Sequence, residues 1–349
     1  MHLRLSTRAY LAVLALVSVL LAVLATALPH DPYIRYQSTK GTIFERTRFL
    51  YERLHFDPTP IDVVFIGSSR TAGGVDPGML EQQLEQRGLD LHVANLSMPA
   101  SGMDIRVVEA REALRSHPEI RLMVISVVEA FPRDGHQAFG DLATTQDILG
   151  SPWLVNRNLP GWVLRLPMRQ IKLFAASLLP GAFGYTTTFD PNQYPGTTAA
   201  ASDLPGWRPS TARFPFQSEG HRREVASEAA MRMREITPPV LPDSLAGVEF
   251  GVSRESLETL VDLARETDTE LVFLYLPSYD GYEEPVEADW LSERAPFWNG
   301  AFFRNDASNY SDAAHASPLG VPKLNTWLAD RIAAQLAGGS GAPAGPAED

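Results

Sequence analysis

The stretch Asp62-Val63-Val64-Phe65-Ile66-Gly67-Ser68-Ser69 constrains this chain more than any other. Residues 63–66 are β-branched or aromatic and too few for a helix, so they predict a buried strand that stops at Gly67. A strand cut off this sharply presents its next side chains at the edge of a sheet, where open α/β sheets place their chemistry. Ser68 or Ser69 is therefore a candidate nucleophile, although two serines after a strand also make an ordinary polar turn. The same rhythm repeats downstream. Residues 77–87 have Leu80 and Leu84 at helical spacing, 91–96 read as a strand, 104–116 as a helix and 122–128 as a third strand. Strand and helix alternate, which predicts a parallel sheet sandwiched between helices, an α/β, flavodoxin-like three-layer fold.

The regular pattern lapses over residues 132–248, a loop-rich insertion that contains Trp153, Trp162, Trp207, Tyr185 and Tyr194. Helices are expected within it at 168–179 and 224–236. A long insertion between core strands commonly forms a lid or substrate wall, and its aromatic residues either stack on a ligand or pin the loop to the core. The alternation returns with a helix at 254–267, a strand at 270–276, a strand or loop at 297–304 and a closing helix at 319–336. Tyr279 and Tyr282, just after the 270–276 strand, are candidates for a pocket wall. Residues 337–349, rich in Gly, Ala and Pro, read as a disordered tail, and residues 61–336 as one α/β domain with its insertion.

Asp312 and His315 give the serines a potential partner. An aspartate three residues before a histidine can hold one imidazole nitrogen and leave the other free as a general base. A serine hydroxyl needs such a base, because it is too weakly acidic to attack an ester unaided. Among the eight histidines only His315 has an aspartate so spaced, and His55, His92, His117, His136 and His221 read as surface or core residues. There is no HExxH and no dense carboxylate cluster, so no metal is expected; without a P-loop or a GxGxxG motif no nucleotide cofactor is expected either.

These blocks resemble the SGNH/GDSL hydrolase superfamily, including its membrane-anchored, cell-envelope acyltransferase-like branches. Gly67-Ser68-Ser69 matches the family's Gly-Asp-Ser, which implies Ser69 as nucleophile with its own N–H in the oxyanion hole. Asp312 and His315 match the family's Asp-x-x-His. Asn95 to Gly102 looks like the second block, which implies an oxyanion N–H from Ala100 or Gly102. Two departures stand out. The family's first-block aspartate is Ser68 here, and its third-block asparagine is absent after the third strand, where the chain reads Val127-Val128-Glu129. An ionised Glu129 close to a developing oxyanion would repel it. The resemblance covers about residues 60–135 and 250–335.

Residues 9–28 form an uncharged Ala, Val and Leu run preceded by Arg4 and Arg8. About twenty such residues span the ~30 Å hydrocarbon core of a bilayer, and the basic flank predicts a cytoplasmic start with the remainder outside. A retained single-pass anchor and a cleaved signal peptide ending near Ala25-Thr26-Ala27 are the alternatives. Residues 29–60 follow as a membrane-proximal segment with a helix at 42–54, expected to pack on the domain or on lipid headgroups. The net charge of −12 and the lack of a basic run disfavour nucleic acid. With no cysteine among 349 residues, disulfides, thiol nucleophiles and zinc-thiolate sites are excluded. The expected function is thus that of an exported, membrane-tethered serine esterase or O-acyltransferase acting on acyl esters of an envelope polysaccharide. The alternative is a weakened SGNH-like glycan-binding partner of a membrane-bound O-acyltransferase.

Overall fold

A computed structural model describes residues 6–152, 155–205, 207, 213–236 and 238–338. In chain order the elements begin with α1 (Thr7–Ala25), α2 (Pro32–Gln37), α3 (Thr47–His55), β1 (Val63–Ile66), α4 (Ser69–Gly74), α5 (Pro77–Glu85), β2 (Val93–Asn95), α6 (Asp104–Ser116) and β3 (Leu122–Val127). The insertion supplies α7 (Phe139–Leu142), α8 (Thr145–Gly150), α9 (Leu159–Leu178), α10 (Glu219–Glu235) and α11 (Ala246–Glu249). The fold closes with α12 (Gly251–Glu266), β4 (Glu270–Tyr275), α13 (Ala288–Ser292), β5 (Phe297–Asn299) and α14 (Gly320–Gly338).

Five strands pair in the order β2-β1-β3-β4-β5, and every pairing is parallel. This 2-1-3-4-5 order is compatible with a flavodoxin-like sheet, in which the order reverses between β1 and β3 and opens a crevice at the strands' carboxyl ends. Alternate strand residues feed opposite faces. Val64, Ile66, Met123, Ile125 and Phe273 pack with α3, α6 and α12 on one side, and Val63, Phe65, Val124, Val272 and Leu274 pack with α5 and α14 on the other. Strands buried on both faces have no polar side, which is why they read as continuous apolar runs.

Several elements differ from the sequence expectation, each for a local reason. The strand expected at 91–96 narrows to Val93–Asn95, and just before it the His92 N–H is taken by the Asp62 carboxylate at 2.9 Å. The helix expected at 42–54 begins only at Thr47: Gly41 is left-handed at φ 78°, and Thr42 Oγ bonds the Thr39 carbonyl and the Phe44 N–H, competing with helical hydrogen bonds. The helix expected at 168–179 begins nine residues earlier, at Leu159, because Pro167 does not end it. Burial of Leu159, Trp162 and Leu166 before the proline and Leu173 after it, at about 1.5–3 kcal/mol each, outweighs the ~3 kcal/mol cost of an interior proline. Residues 29–60 join the folded body, with Tyr33, Ile34, Tyr36, Phe49, Leu50 and Leu54 buried. Trp153 and most of the 337–349 tail lie outside the described residues.

Candidate active site

The β1–α4 turn is built to expose one serine and bury the other. Ser68 is the N-cap of α4, is only 4% exposed, and its hydroxyl accepts from the Arg70 N–H. Ser69 follows as the first helical residue, so its N–H has no partner within the helix. Gly67 is required where strand becomes turn, because a Cβ there would stand 2.5 Å from Thr71 Oγ and 2.7 Å from Ser126 Oγ. Asn95 locks the far side of α4, donating to the carbonyls of Thr71 and Val75 at 3.0 and 2.8 Å. Of the two candidate nucleophiles, Ser69 is therefore the one that faces open space.

Across 246 residues of chain, His315 meets it. His315 Nε2 lies 2.8 Å from Ser69 Oγ, and His315 Nδ1 lies 2.8 Å from Asp312 Oδ2. The carboxylate beside Nδ1 puts the ring proton there, so Nε2 accepts from the serine hydroxyl. Burial works to raise the Asp312 pKa, but the hydrogen bond and charge of His315 and the N–H groups of Ala314 and His315 outweigh it and hold the group at about 2. The loop carrying both residues is clamped from several sides. Tyr310 pairs with Ala316 as a β-bridge, the Ser311 N–H donates to the His315 carbonyl, and on α10 Glu228 accepts from the Ala313 N–H while His221 bonds the Tyr310 carbonyl.

Ser69, Asp312 and His315 open into a cavity of about 670 Å³ whose wall includes Pro99 and Ala100. Ala100 has φ 73°, a left-handed conformation that costs a residue with a side chain ~1–2 kcal/mol. His136 braces this turn, its Nε2 2.6 Å from the Pro99 carbonyl. Burial lowers the His136 pKa to about 4, and its Nδ1 accepts from the Ala138 N–H, so the ring is the neutral Nε2–H tautomer. Gly102, the other candidate, is not in the cavity wall; a Cβ on it would meet the His136 backbone at 2.4 Å.

Glu129 does not point a free charge at the serine. Its Oε2 accepts from buried Arg70 at 2.7 Å and its Oε1 from Ser278 Oγ at 2.7 Å, and Arg70 also donates to the Leu276 carbonyl at 2.7 Å. Although burial would raise it, the charge and hydrogen bond of Arg70, with that of Ser278, hold the Glu129 pKa at about 2. The group is thus ionised and neutralised by the residue immediately after Ser69. No signal in the sequence joined Arg70 to Glu129, 59 residues away.

The insertion contributes Ala200, Ala201, Ser202 and Trp207 to the cavity wall. The Trp207 ring stands edge-on to His315 with centroids 6.1 Å apart, and it covers Gly73 so closely that a Cβ there would meet it at 2.4 Å. Other insertion aromatics pin the loop instead: Trp162 is buried against Phe139, and Tyr194 stacks on Phe49 and donates to Asp57 at 2.6 Å. Neither Tyr279 nor Tyr282 lines the cavity; Tyr279 packs on Tyr310, and the Tyr282 carbonyl accepts from Tyr275 Oη. Among the described residues no group of three or more His, Asp and Glu side chains is placed to hold a metal ion. No protein-family model matches the chain, and no curated protein matches it either.

Proposed function

We propose that the protein is an SGNH-like serine esterase or O-acyltransferase, tethered to a membrane by α1 with its α/β domain outside the cytoplasm, and acting on acyl esters of an envelope polysaccharide. The observation that carries this reading is the unbroken relay from Ser69 Oγ through both His315 nitrogens to Asp312, with each link at 2.8 Å. His315 Nε2 takes the Ser69 proton as Oγ attacks the acyl carbonyl, and Asp312 stabilises the imidazolium that forms. The N–H groups of Ser69 and Ala100 hold the oxyanion. The proton then passes from His315 to the departing alkoxide, leaving an acyl group on Ser69. Water or a sugar hydroxyl, deprotonated by His315, resolves this ester by the same route. The wall formed by Ala72, Val75, Met79, Ala201, Val321 and Pro322 suits a short acyl group, and the Trp207 ring suits a sugar face.

One observation favours a second reading, a weakened catalyst that binds glycan for a membrane-bound O-acyltransferase. Where the family has its third oxyanion donor, this chain has Glu129, an acceptor turned toward Arg70 and Ser278. A missing donor costs about 10²–10³ in rate. A fluorophosphonate probe separates the two. Labelling of the wild type that is lost in Ser69→Ala and His315→Ala supports catalysis, whereas a folded wild type that takes no label supports binding alone. Hydrolysis of p-nitrophenyl acetate with and without a glycan acceptor then separates esterase from transferase.

A further inference from the structure

α9 is apolar on two faces, and the folded body uses only one. Leu159, Trp162, Leu166, Leu173 and Ala176 turn inward and are buried. On the other side Leu164 is 83% exposed, Met168 68%, Ile171 43% and Leu178 64%. At 100° per residue these four fall within an arc of about 80°, a continuous stripe rather than scattered surface residues. Leu179 and Phe183, also exposed, extend it past the helix end. α9 has no acidic residue and three basic ones, in a chain whose net charge is −12. Arg169 turns inward to the carbonyls of Gly140 and Ala143, leaving Arg165 and Lys172 exposed along one edge of the stripe.

The place of α9 in the fold says what covers this face. α1 is a 19-residue helix of mean hydropathy 2.3 that stands almost wholly outside the folded body; of its residues only Ala25 is buried. Its C-terminal end is fixed to α9. The Thr26 carbonyl accepts from Gln170 Nε2 at 3.3 Å, and the Asp31 N–H donates to Ser177 Oγ at 2.8 Å. Nineteen residues at 1.5 Å rise span about 28 Å, close to the bilayer's hydrocarbon thickness, so a spanning α1 would put Thr26 at the edge of the hydrocarbon. Gln170, and Ile171 beside it, are then at that same depth.

We propose that α9 lies in the interfacial layer of the bilayer that α1 crosses, with Leu164, Met168, Ile171 and Leu178 among the acyl chains and Arg165 and Lys172 at the phosphates. Basic residues beside an apolar stripe are the composition that binds an anionic lipid surface. The inference rests on α1 being a membrane-spanning helix. Its consequence is orientation: a body held by one helix can tilt freely, whereas a second attachment along α9 fixes which way the Ser69 cavity faces.

The absence of cysteine makes the test direct. Single nitroxide labels are placed at Leu164→Cys, Ile171→Cys and Leu178→Cys in the full chain, reconstituted in nanodiscs of phosphatidylethanolamine and phosphatidylglycerol. Val17→Cys in α1 and Thr326→Cys on α14, on the other side of the sheet, serve as references. The stripe labels are expected to prefer oxygen over a water-soluble nickel chelate, as Val17 does, and Thr326 to show the reverse preference. Nickel-accessible stripe labels beside a lipid-exposed Val17 overturn the inference while leaving the anchor intact. Stripe labels shielded from both reagents overturn it too and assign the face to a protein contact. A water-exposed Val17 removes the anchor and the inference together.

Discussion

At the scale of single residues, the proposed chemistry depends on which imidazole nitrogen carries a proton, and Asp312 decides that. Asp312→Asn keeps the shape of the loop but can offer an N–H to Nδ1, which drives the ring proton onto Nε2 and leaves no base for Ser69. A fall in kcat of about 10⁴ with little change in KM is expected, measured on a p-nitrophenyl ester. A second carboxylate has the opposite electrostatics. Asp104, beside the Pro99–Ala100 turn, accepts from the His136 N–H at 2.7 Å, while its Oδ2 is buried without a partner. Burial raises its pKa from 3.8 to about 7, despite the N–H bonds from His136 and Ile105. A carboxyl whose folded pKa is raised holds its proton more tightly in the native state, so it loses stability as pH rises from about 3.8 to about 7 and loses no more beyond. Asp104→Asn removes that dependence. The variant's melting temperature relative to wild type should therefore climb between pH 4 and pH 8, at most by the equivalent of about 1.4 kcal/mol per pH unit. A difference that stays flat over this range would show that Asp104 is ionised in the fold.

At the scale of elements, the Ser69 turn is held by groups at neighbouring strand ends. Asn95 at the end of β2, Glu129 after β3 and the Leu276 carbonyl after β4 converge on α4, two of them through Arg70. Breaking one partner of a buried pair leaves the other charge unneutralised, so Glu129→Gln should destabilise by about 3–5 kcal/mol, read as a shift in urea midpoint. The double variant Arg70→Met, Glu129→Leu should recover much of that loss. If it recovers stability but not probe labelling, the pair positions Ser69 rather than merely holding the sheet edge. The elements themselves were legible in the sequence wherever the signal is local. Val63–Ile66 ends at a glycine, Asp312 and His315 are three residues apart, and the strand–helix alternation predicts parallel pairing. What was not legible depends on side chains meeting across long stretches of chain. Arg70 and Glu129, His136 and Pro99, and Trp207 and His315 leave no periodicity to read, and Pro167 disguised the length of α9 by imitating a helix stop. The same separation explains how Glu129 changes meaning. From sequence Glu129 is a stray charge near the proposed oxyanion; in the fold it is neutralised by Arg70, the residue next to Ser69.

At the scale of the whole molecule, α1 and the α/β body are separable in stability but not in solubility. α1 buries only Ala25 and holds the body through the Thr26 carbonyl, so its removal takes almost nothing from the three core clusters. A chain starting at Ala27 should keep the melting temperature of the full protein to within a few degrees, since losing ~1 kcal/mol of contacts moves a domain of this size by roughly 2–4 °C. Its probe labelling at Ser69 should persist for the same reason, because no cavity residue belongs to α1. Its solution behaviour should change, however. The α9 stripe stays on the surface, and a contiguous exposed apolar patch drives association. The truncated chain is therefore expected to sediment as a monomer in detergent and to self-associate without it. Met168→Glu together with Ile171→Glu should abolish that self-association while leaving melting temperature and labelling unchanged, since both side chains lie outside the core. A truncated chain that is monomeric in plain buffer would show that the stripe is tolerated by water.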